Sequence, residues 1–296
     1  MKLGGNVLTA KVIKLYWWSP HQNPRTLASL VKDHSRASFE LLLASGSKFS
    51  NFGDEFSPLL LQELTGHKIS WAPPSKADVF GIGSILQSLP NERAVAIWGS
   101  GFRSVPSEKA IDTLKIHIPL LVRGPMTREY FSDEGVLPSG DPGIYIRNFY
   151  DKKPPRSLSP LYLPHFAELS HRKGRKVISD FRASGFQICL PNQSPVAVAE
   201  AISRSSFLVT SSLHGRIFAD SLGVPVVSTS SSHEPIFKYL DYCKSIETTF
   251  ESHSPEKILT MYFEGSVLNL FSPLVPEQKM HKLSENILEA AKKLTI

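Results

Sequence analysis

Phe207-Leu208-Val209-Thr210-Ser211-Ser212-Leu213-His214-Gly215-Arg216 decides the fold. An apolar, β-branched run, Phe207 to Thr210, leads into small polar residues. An apolar-periodic segment, Ile217 to Leu222, leads out to Gly223. That order reads as strand, tight turn and helix, with His214 in the first helical turn. A helix start presents backbone N–H groups and the positive end of the helix dipole, so this place suits an anion. A histidine and an arginine beside an anion point to acid–base chemistry on a phosphorylated or carboxylated substrate.

The same alternation runs outward in both directions. Val12 to Trp18, Val79 to Ile82, Ala94 to Trp98 and Leu120 to Arg123 read as strands, and Glu55 to Thr65 and Pro125 to Asp133 as helices. After a polar, proline-containing stretch, Asp151 to Pro160, a second α/β pattern follows. Leu161 to Pro164, Gln187 to Leu190, Phe207 to Thr210 and Pro225 to Ser228 read as strands and Pro195 to Ser203 as a helix. Such alternation predicts an α/β protein of two Rossmann-like doubly wound units with parallel sheets. The expected boundaries are 1–152, 153–272 and a C-terminal helix within 273–296, packed back through Leu283, Ile287 and Leu294. Two such units across a cleft resemble the glycosyltransferase-B architecture, with ligands at the carboxyl ends of strands.

Composition narrows the function classes. The chain has 296 residues, 41% hydrophobic, with a formal net charge of +6. That length buries a sizeable core. The mild basic excess fits an anionic substrate or peripheral contact with an anionic membrane. Cys189 and Cys243 have no metal-site spacing, so buried reduced thiols are expected, which fits the cytosol. Met1 to Ala10 lacks a signal-peptide hydrophobic region, and no apolar run reaches the roughly 18 residues of a membrane span. The expectation is a cytoplasmic protein, with the inner face of the membrane as its one membrane contact. P-loop, HExxH, GxSxG and paired DxD patterns are missing, which argues against NTP hydrolysis, zinc proteolysis and metal-assisted sugar-nucleotide chemistry. Aromatics are not interleaved with basic residues as in nucleic-acid modules, so nucleic acid is not an expected partner.

Several short segments carry candidate chemistry. Asp54, in Asn51-Phe52-Gly53-Asp54-Glu55, caps the helix that follows or meets substrate hydroxyls at its mouth. Gly81-Ile82-Gly83-Ser84 and Gly99-Ser100-Gly101 are turns after strands that admit close backbone approach, and neither completes GxGxxG. Arg123 ends a strand ahead of Pro125, where its fork binds a carboxylate or phosphate, or pairs with an acid of the protein. Gly140-Asp141-Pro142-Gly143 is a turn by composition. His165 ends the first strand of the second pattern. Ser228 to Ser232, with His233 and Glu234, ends another and offers hydrogen bonds to sugar hydroxyls.

In this order the segments resemble the polysaccharide pyruvyl transferase family. The matching pieces are Asn51 to Asp54, Gly83 to Leu86, Trp98 to Gly101, Val122 to Pro125, Gly140 to Gly143 and Ser211 to Gly215. Tyr16-Trp17-Trp18 and Pro164-His165-Phe166 look like the subgroup that ketalates exopolysaccharides such as xanthan and succinoglycan. The resemblance implies transfer of the enolpyruvyl group of phosphoenolpyruvate onto two hydroxyls of a sugar, in a polysaccharide or its lipid-linked precursor, with release of phosphate. Some relatives carry an arginine where this chain has Ser212, and Arg216 is the expected substitute.

On that basis His214 is the expected acid–base, with Asp54 and His165 orienting or deprotonating the acceptor. Arg123, Ser211, Ser212, Leu213, Gly215 and Arg216 are expected on the donor, and Asn51, Gly53, Ser84, Ser100, Asp141, His233 and Glu234 on the acceptor. No metal or cofactor is expected, because arginines can carry the donor's charge. Two other readings stand beside this one: a nucleotide-sugar glycosyltransferase of the same architecture, and a non-catalytic binder of acidic glycans or nucleic acid.

Overall fold

The computed structural model describes residues 12–19, 22, 50–131, 137–150, 154–157, 159–231 and 234–294. The expected linker's residues 151–153 and 158, the Met1 to Ala10 segment and His233 lie outside them. The first sheet is formed by β1 (Val12–Tyr16), β2 (Lys68–Trp71), β3 (Val79–Phe80), β4 (Ala96–Ser100) and β5 (Ile118–Val122), in the order β2-β1-β3-β4-β5. The second is formed by β6 (Leu161–Leu163), β7 (Gln187–Ile188), β8 (Leu208–Thr210) and β9 (Val226–Ser228), in the order β7-β6-β8-β9. Every pairing is parallel. The expected α/β class with parallel sheets is therefore what the chain adopts.

Parallel strands need crossover helices, which cover both faces of a sheet. The burial of every residue in β6, β8 and β9 follows from this. Helix α1 (Phe52–Thr65) connects β1 to β2, and α2 (Glu108–Leu114) connects β4 to β5. The short α3 (Pro125–Arg128) and α4 (Ile146–Phe149) follow β5. In the second half, α5 (Arg172–Ala183), α6 (Pro195–Arg204), α7 (Leu213–Leu222), α8 (Phe237–Ser245) and α9 (Pro255–Phe263) alternate with the strands or follow the last. The terminal α10 (Glu277–Lys292) lies against α1, β4 and β5 of the first half, where Trp98 Nε1 donates to the Ile287 carbonyl.

Two expectations need correction. Of the helix expected from Pro125 to Asp133, the described residues form only the single turn α3, and residues 132 and 133 lie outside them. Asp54 is not a cap: α1 begins at Phe52 after Asn51, so Asp54 sits inside its first turn. The two halves share hydrophobic packing. One hydrophobic cluster runs from Ile13 and Leu15 through Phe52 and Phe56 to Leu163, Ile217 and Phe218. Phe218 stacks edge-on to Phe52 and to Phe56, with centroids 5.1 and 5.7 Å away. Each such buried ring contributes roughly 1.5–3 kcal/mol, so the α1–α7 seam joins the sheets strongly.

The strand orders fix where a ligand can enter. The direction of crossover reverses between β1 and β3 in the first sheet, and between β6 and β8 in the second. Open α/β sheets bind ligands outside the carboxyl ends of strands at such switch points. Residues following β1, β3, β6 and β8 all line one cavity. Cys189 and Cys243 are buried and unpaired, and no helix among the described residues is long and apolar enough to cross a membrane.

Candidate active site

The cavity has a volume of about 680 Å³. Trp18 follows β1, Ser84 and Ile85 follow β3, and Arg103 follows β4. From the second half come His165, Phe166, Ala167 and His171 after β6, and Ser212, Leu213 and His214 after β8. Asn51 and Asp54 enter from the start of α1, Glu234 from the loop before α8 and Lys238 from the first turn of α8.

Helix α7 is locally well specified. Ser212 is its N-cap and accepts a hydrogen bond from the Gly215 amide at 3.3 Å, while Gly223 closes it in the left-handed conformation. Gly215 has no room for a side chain: a Cβ would lie 2.5 Å from Thr210 Oγ1. His214 is therefore held in the first turn, against Gly53, where a Cβ would meet its Nδ1 at 2.0 Å. Its Nε2 is buried with no hydrogen-bond partner among the described residues. Burial, with Lys238 and Arg123 nearby, pulls the imidazole down to about 3 and leaves it neutral.

Asp54 has the opposite displacement. Burial pushes its carboxyl up to about 8, against the hydrogen bond from Asn51 Nδ2 at 2.7 Å. At neutral pH it carries a proton. A protonated carboxylic acid and a neutral imidazole thus line the same cavity, each protonation state set by burial.

The cations in the wall are Lys238 and Arg103. Lys238 is buried and donates to Glu234 Oε2 at 2.5 Å, and its Nζ lies 3.4 Å from His165 Nε2. Arg103 approaches Glu234 with Nη2 at 3.0 Å and Nε at 3.3 Å. Burial alone would raise Glu234, but His165, Lys238 and Arg103 outweigh it and hold the carboxylate at about 2. His165 is pulled down to about 3, first by burial and then by Lys238. Its Nδ1 accepts from the Ala167 amide at 3.2 Å, and its own amide donates to Ser211 Oγ at 2.8 Å.

The structure brings Asp54, His165, His214, Asn51, Ser84, Ser212, Leu213 and Glu234 to the cavity. Other expected residues take different places. Arg123 does not line the wall. It is buried against Asp241 at 3.1 Å, and it donates to Ser84 Oγ at 2.7 Å and to the Phe102 carbonyl. Arg216 is also outside the cavity, buried against Asp220 at 2.6 Å and bonded to Ser272 Oγ at 2.7 Å. Ser100 is buried on the Gly81 carbonyl. Asp141 is buried beneath the turn that it caps, accepting from the Gly143 amide at 2.8 Å. Gly53, Ser211 and Gly215 support the walls from behind. His233 lies outside the described residues. Lys238 and Arg103 were not expected; Glu234, four residues before Lys238 in the loop ahead of α8, is the one local signal that points to the former.

The comparison with known families matches this ordered set of segments. The model for polysaccharide pyruvyl transferase covers residues 16–233. The chain belongs to the polysaccharide pyruvyl transferase family. Among curated proteins, it is 28% identical over 193 residues to an uncharacterized protein of Acanthamoeba polyphaga mimivirus, covering 60% of this chain and 62% of that one. It is 26% identical over 208 residues to the succinoglycan biosynthesis protein ExoV of Rhizobium meliloti, covering 69% of this chain and 64% of that one. The chain thus spans a little under two thirds of the length of these relatives.

Proposed function

We propose that this family member is a ketal pyruvyltransferase. It moves the enolpyruvyl group of phosphoenolpyruvate onto two hydroxyls of a sugar in a cell-surface polysaccharide or its lipid-linked precursor. The observation that carries the reading is His214. Its buried, unpartnered Nε2 sits at the start of α7, in a cavity that also holds protonated Asp54 and the cations Lys238 and Arg103. An anion at that helix start meets both the helix dipole and the two cations. In this proposal Arg103 and Lys238 take the place the sequence reading gave to Arg123 and Arg216. The division of labour keeps the two-unit, glycosyltransferase-B-like picture: the second half holds the donor, and the first half faces the acceptor while reaching the donor through Arg103 and Asp54.

The chemistry balances with the residues at hand. Asp54 gives its proton to the methylene carbon, and a sugar hydroxyl adds to C2 while losing its proton to His214. The C2–O bond to phosphate breaks, and phosphate leaves with the proton held by His214. The second hydroxyl closes the ketal, and its proton restores Asp54. Positioned general acid–base groups contribute typically about 10²–10⁴-fold. Lys238 and Arg103 offset the donor's negative charge, so no divalent metal is required. Peripheral contact of this basic chain with the anionic inner leaflet of the membrane is part of the proposal for a lipid-linked acceptor.

The test is direct. The protein is incubated with phosphoenolpyruvate and candidate oligosaccharides, with and without EDTA, and phosphate and the ketal mass increment are followed. Equal release of phosphate and ketal in EDTA supports the reading. Transfer from a nucleotide sugar in place of phosphoenolpyruvate would replace it with a glycosyltransferase.

A further inference from the structure

One wall of the cavity has no part in acid–base or charge chemistry. Trp18 and Phe166 form it, with ring centroids 5.4 Å apart and planes at 74°. Each follows the strand that opens its sheet's switch point, Trp18 after β1 and Phe166 after β6. The two tryptophans after β1 have opposite environments. Trp17 is buried at 5% exposure in the central cluster, whereas Trp18 is half-buried and faces the cavity. Trp18 packs against the clusters of both sheets, so its ring is held from two sides. Its indole N–H has no hydrogen-bond partner among the described residues, while Trp71 and Trp98 donate to the carbonyls of Trp17 and Ile287.

A large ring packed from two sides at the wall of a cavity, with an indole N–H that no described residue accepts, offers an apolar face and one polar handle. A pyranose has the complementary surface. Its axial C–H groups make an apolar patch that fits the electron-rich ring face, and its hydroxyls accept from the indole N–H. The donor does not suit this wall, because it is small and anionic and the cations lie in other elements. A cavity of about 680 Å³ is also larger than a three-carbon phosphorylated acid fills.

Resting on the transferase reading, we infer that Trp18, braced by Phe166, is the platform on which the acceptor's pyranose ring stacks. It is a specificity-determining residue for the acceptor and makes no contact with the donor.

The test uses Trp18→Ala and Trp18→Phe in the full chain, with melting temperatures as a folding control. Saturation-transfer NMR is recorded with the methyl glycosides of glucose, galactose and mannose, in the absence of phosphoenolpyruvate. Transfer to at least one glycoside is expected with the wild-type protein. It should fall at least fivefold in Trp18→Ala and be largely restored in Trp18→Phe. In turnover assays Trp18→Ala should raise the acceptor KM at least tenfold and leave the donor Kd within twofold. The NMR arm does not depend on catalysis, so a protein that binds the glycoside through Trp18 but transfers no pyruvate would refute the transferase reading and keep the sugar platform. Equal transfer to wild type and Trp18→Ala, or no transfer from the wild type to any of the three, would overturn the platform. So would a donor Kd that rises with the acceptor KM.

Discussion

Arg123 and Asp241 stand 118 positions apart and form an ion pair that water does not reach, with side-chain exposures of 1% and 0%. Asp241 also accepts from the Thr127 amide at 3.0 Å and from Thr127 Oγ1 at 2.6 Å. The pair pins α8 of the second half to α3 of the first, and Gly124 permits it: a Cβ there would lie 2.1 Å from the Asp241 carbonyl. Lys238 projects from α8, and Ser84 is held by Arg123 itself. The pair thus sets two walls of the cavity from behind.

Removing one partner of a buried pair leaves a bare charge, at about 3–5 kcal/mol. Arg123→Ala is expected to lower the denaturant midpoint by a corresponding amount, and the loss of donor use should follow from that. A double replacement by apolar residues should recover much of the stability. If folded Arg123→Ala kept wild-type stability and lost donor affinity alone, Arg123 would belong on the cavity wall after all.

Asp54 predicts a pH dependence of both stability and rate. Its carboxyl is raised to about 8 from the ordinary carboxylate range. The folded form therefore holds a proton that the unfolded chain releases near pH 4. The stability from this group is fully present below about pH 4 and is lost as the pH rises through about 8. Asp54→Asn should remove that decline, so its melting temperature should gain on wild type between pH 5 and 8. Its kcat should collapse, since an amide supplies no proton. Parallel melting curves across that range would remove the proton from Asp54.

Much of this fold is legible from local chemistry, and the reason is burial. β8, α7 and β9 are apolar runs closed by Ser212 and Gly223, so periodicity and caps mark them without tertiary information. β2 is an edge strand with no buried residue, and its pattern Lys-Ile-Ser-Trp carries no core signal. α5 buries only Gly174, Ile178 and Phe181 among many charges, and its sequence reads as a basic run. In the site, His214 and Asp54 are marked by their helix starts. Arg103 and Asp241 acquire their partners, Glu234 and Arg123, through the topology, across 131 and 118 positions that sequence spacing does not reveal. Arg216 is the converse: Asp220, four residues on, was the visible partner.

The buried histidines predict acid sensitivity and proton uptake. His165 and His214 are both pulled down to about 3, so both are neutral in the fold. Their contribution is present above about pH 6.5 and is lost as the pH falls through about 3. An anion beside His214 favours the charged ring, so donor binding near pH 6 should draw a proton from buffer. Calorimetry in buffers of different ionisation enthalpy reads that uptake. It should disappear in His214→Gln, and uptake that survives the substitution would assign the proton elsewhere.

Lys238 and Arg103 should behave as donor ligands. A lost charge-assisted contact to a desolvated anion is worth about 1.5–3 kcal/mol, or roughly 10–150-fold in affinity. Lys238→Met also leaves Glu234 without its closest partner, so the informative comparison is Lys238→Met with Glu234→Gln in one chain. That double variant should fold with near wild-type stability and still bind phosphoenolpyruvate weakly. Arg103, whose side chain is half exposed, should show a smaller effect that salt diminishes. Donor affinity unchanged in both proteins would move the anion away from this wall.

His214 separates catalysis from binding. If it accepts the acceptor's proton, it matters mainly in the transition state. His214→Asn should then lower kcat by about 10²–10⁴-fold and change donor Kd far less. Asn keeps a hydrogen-bonding group at the start of α7 but cannot take up a proton. If the imidazole only bonds the donor, the Kd should rise and the rate at saturation survive. A purely structural role would instead appear in the melting temperature, because Phe52 and Gly53 pack against the ring. Gly53→Ala provides the geometric control. Its Cβ would drive into the His214 ring, so it should lower kcat by displacing the base without altering its chemistry. We expect both variants to lose kcat, with only Gly53→Ala recovering part of it in a background where His214 has room to move. Near wild-type turnover by a folded His214→Asn protein would leave Asp54 as the sole proton carrier of the site.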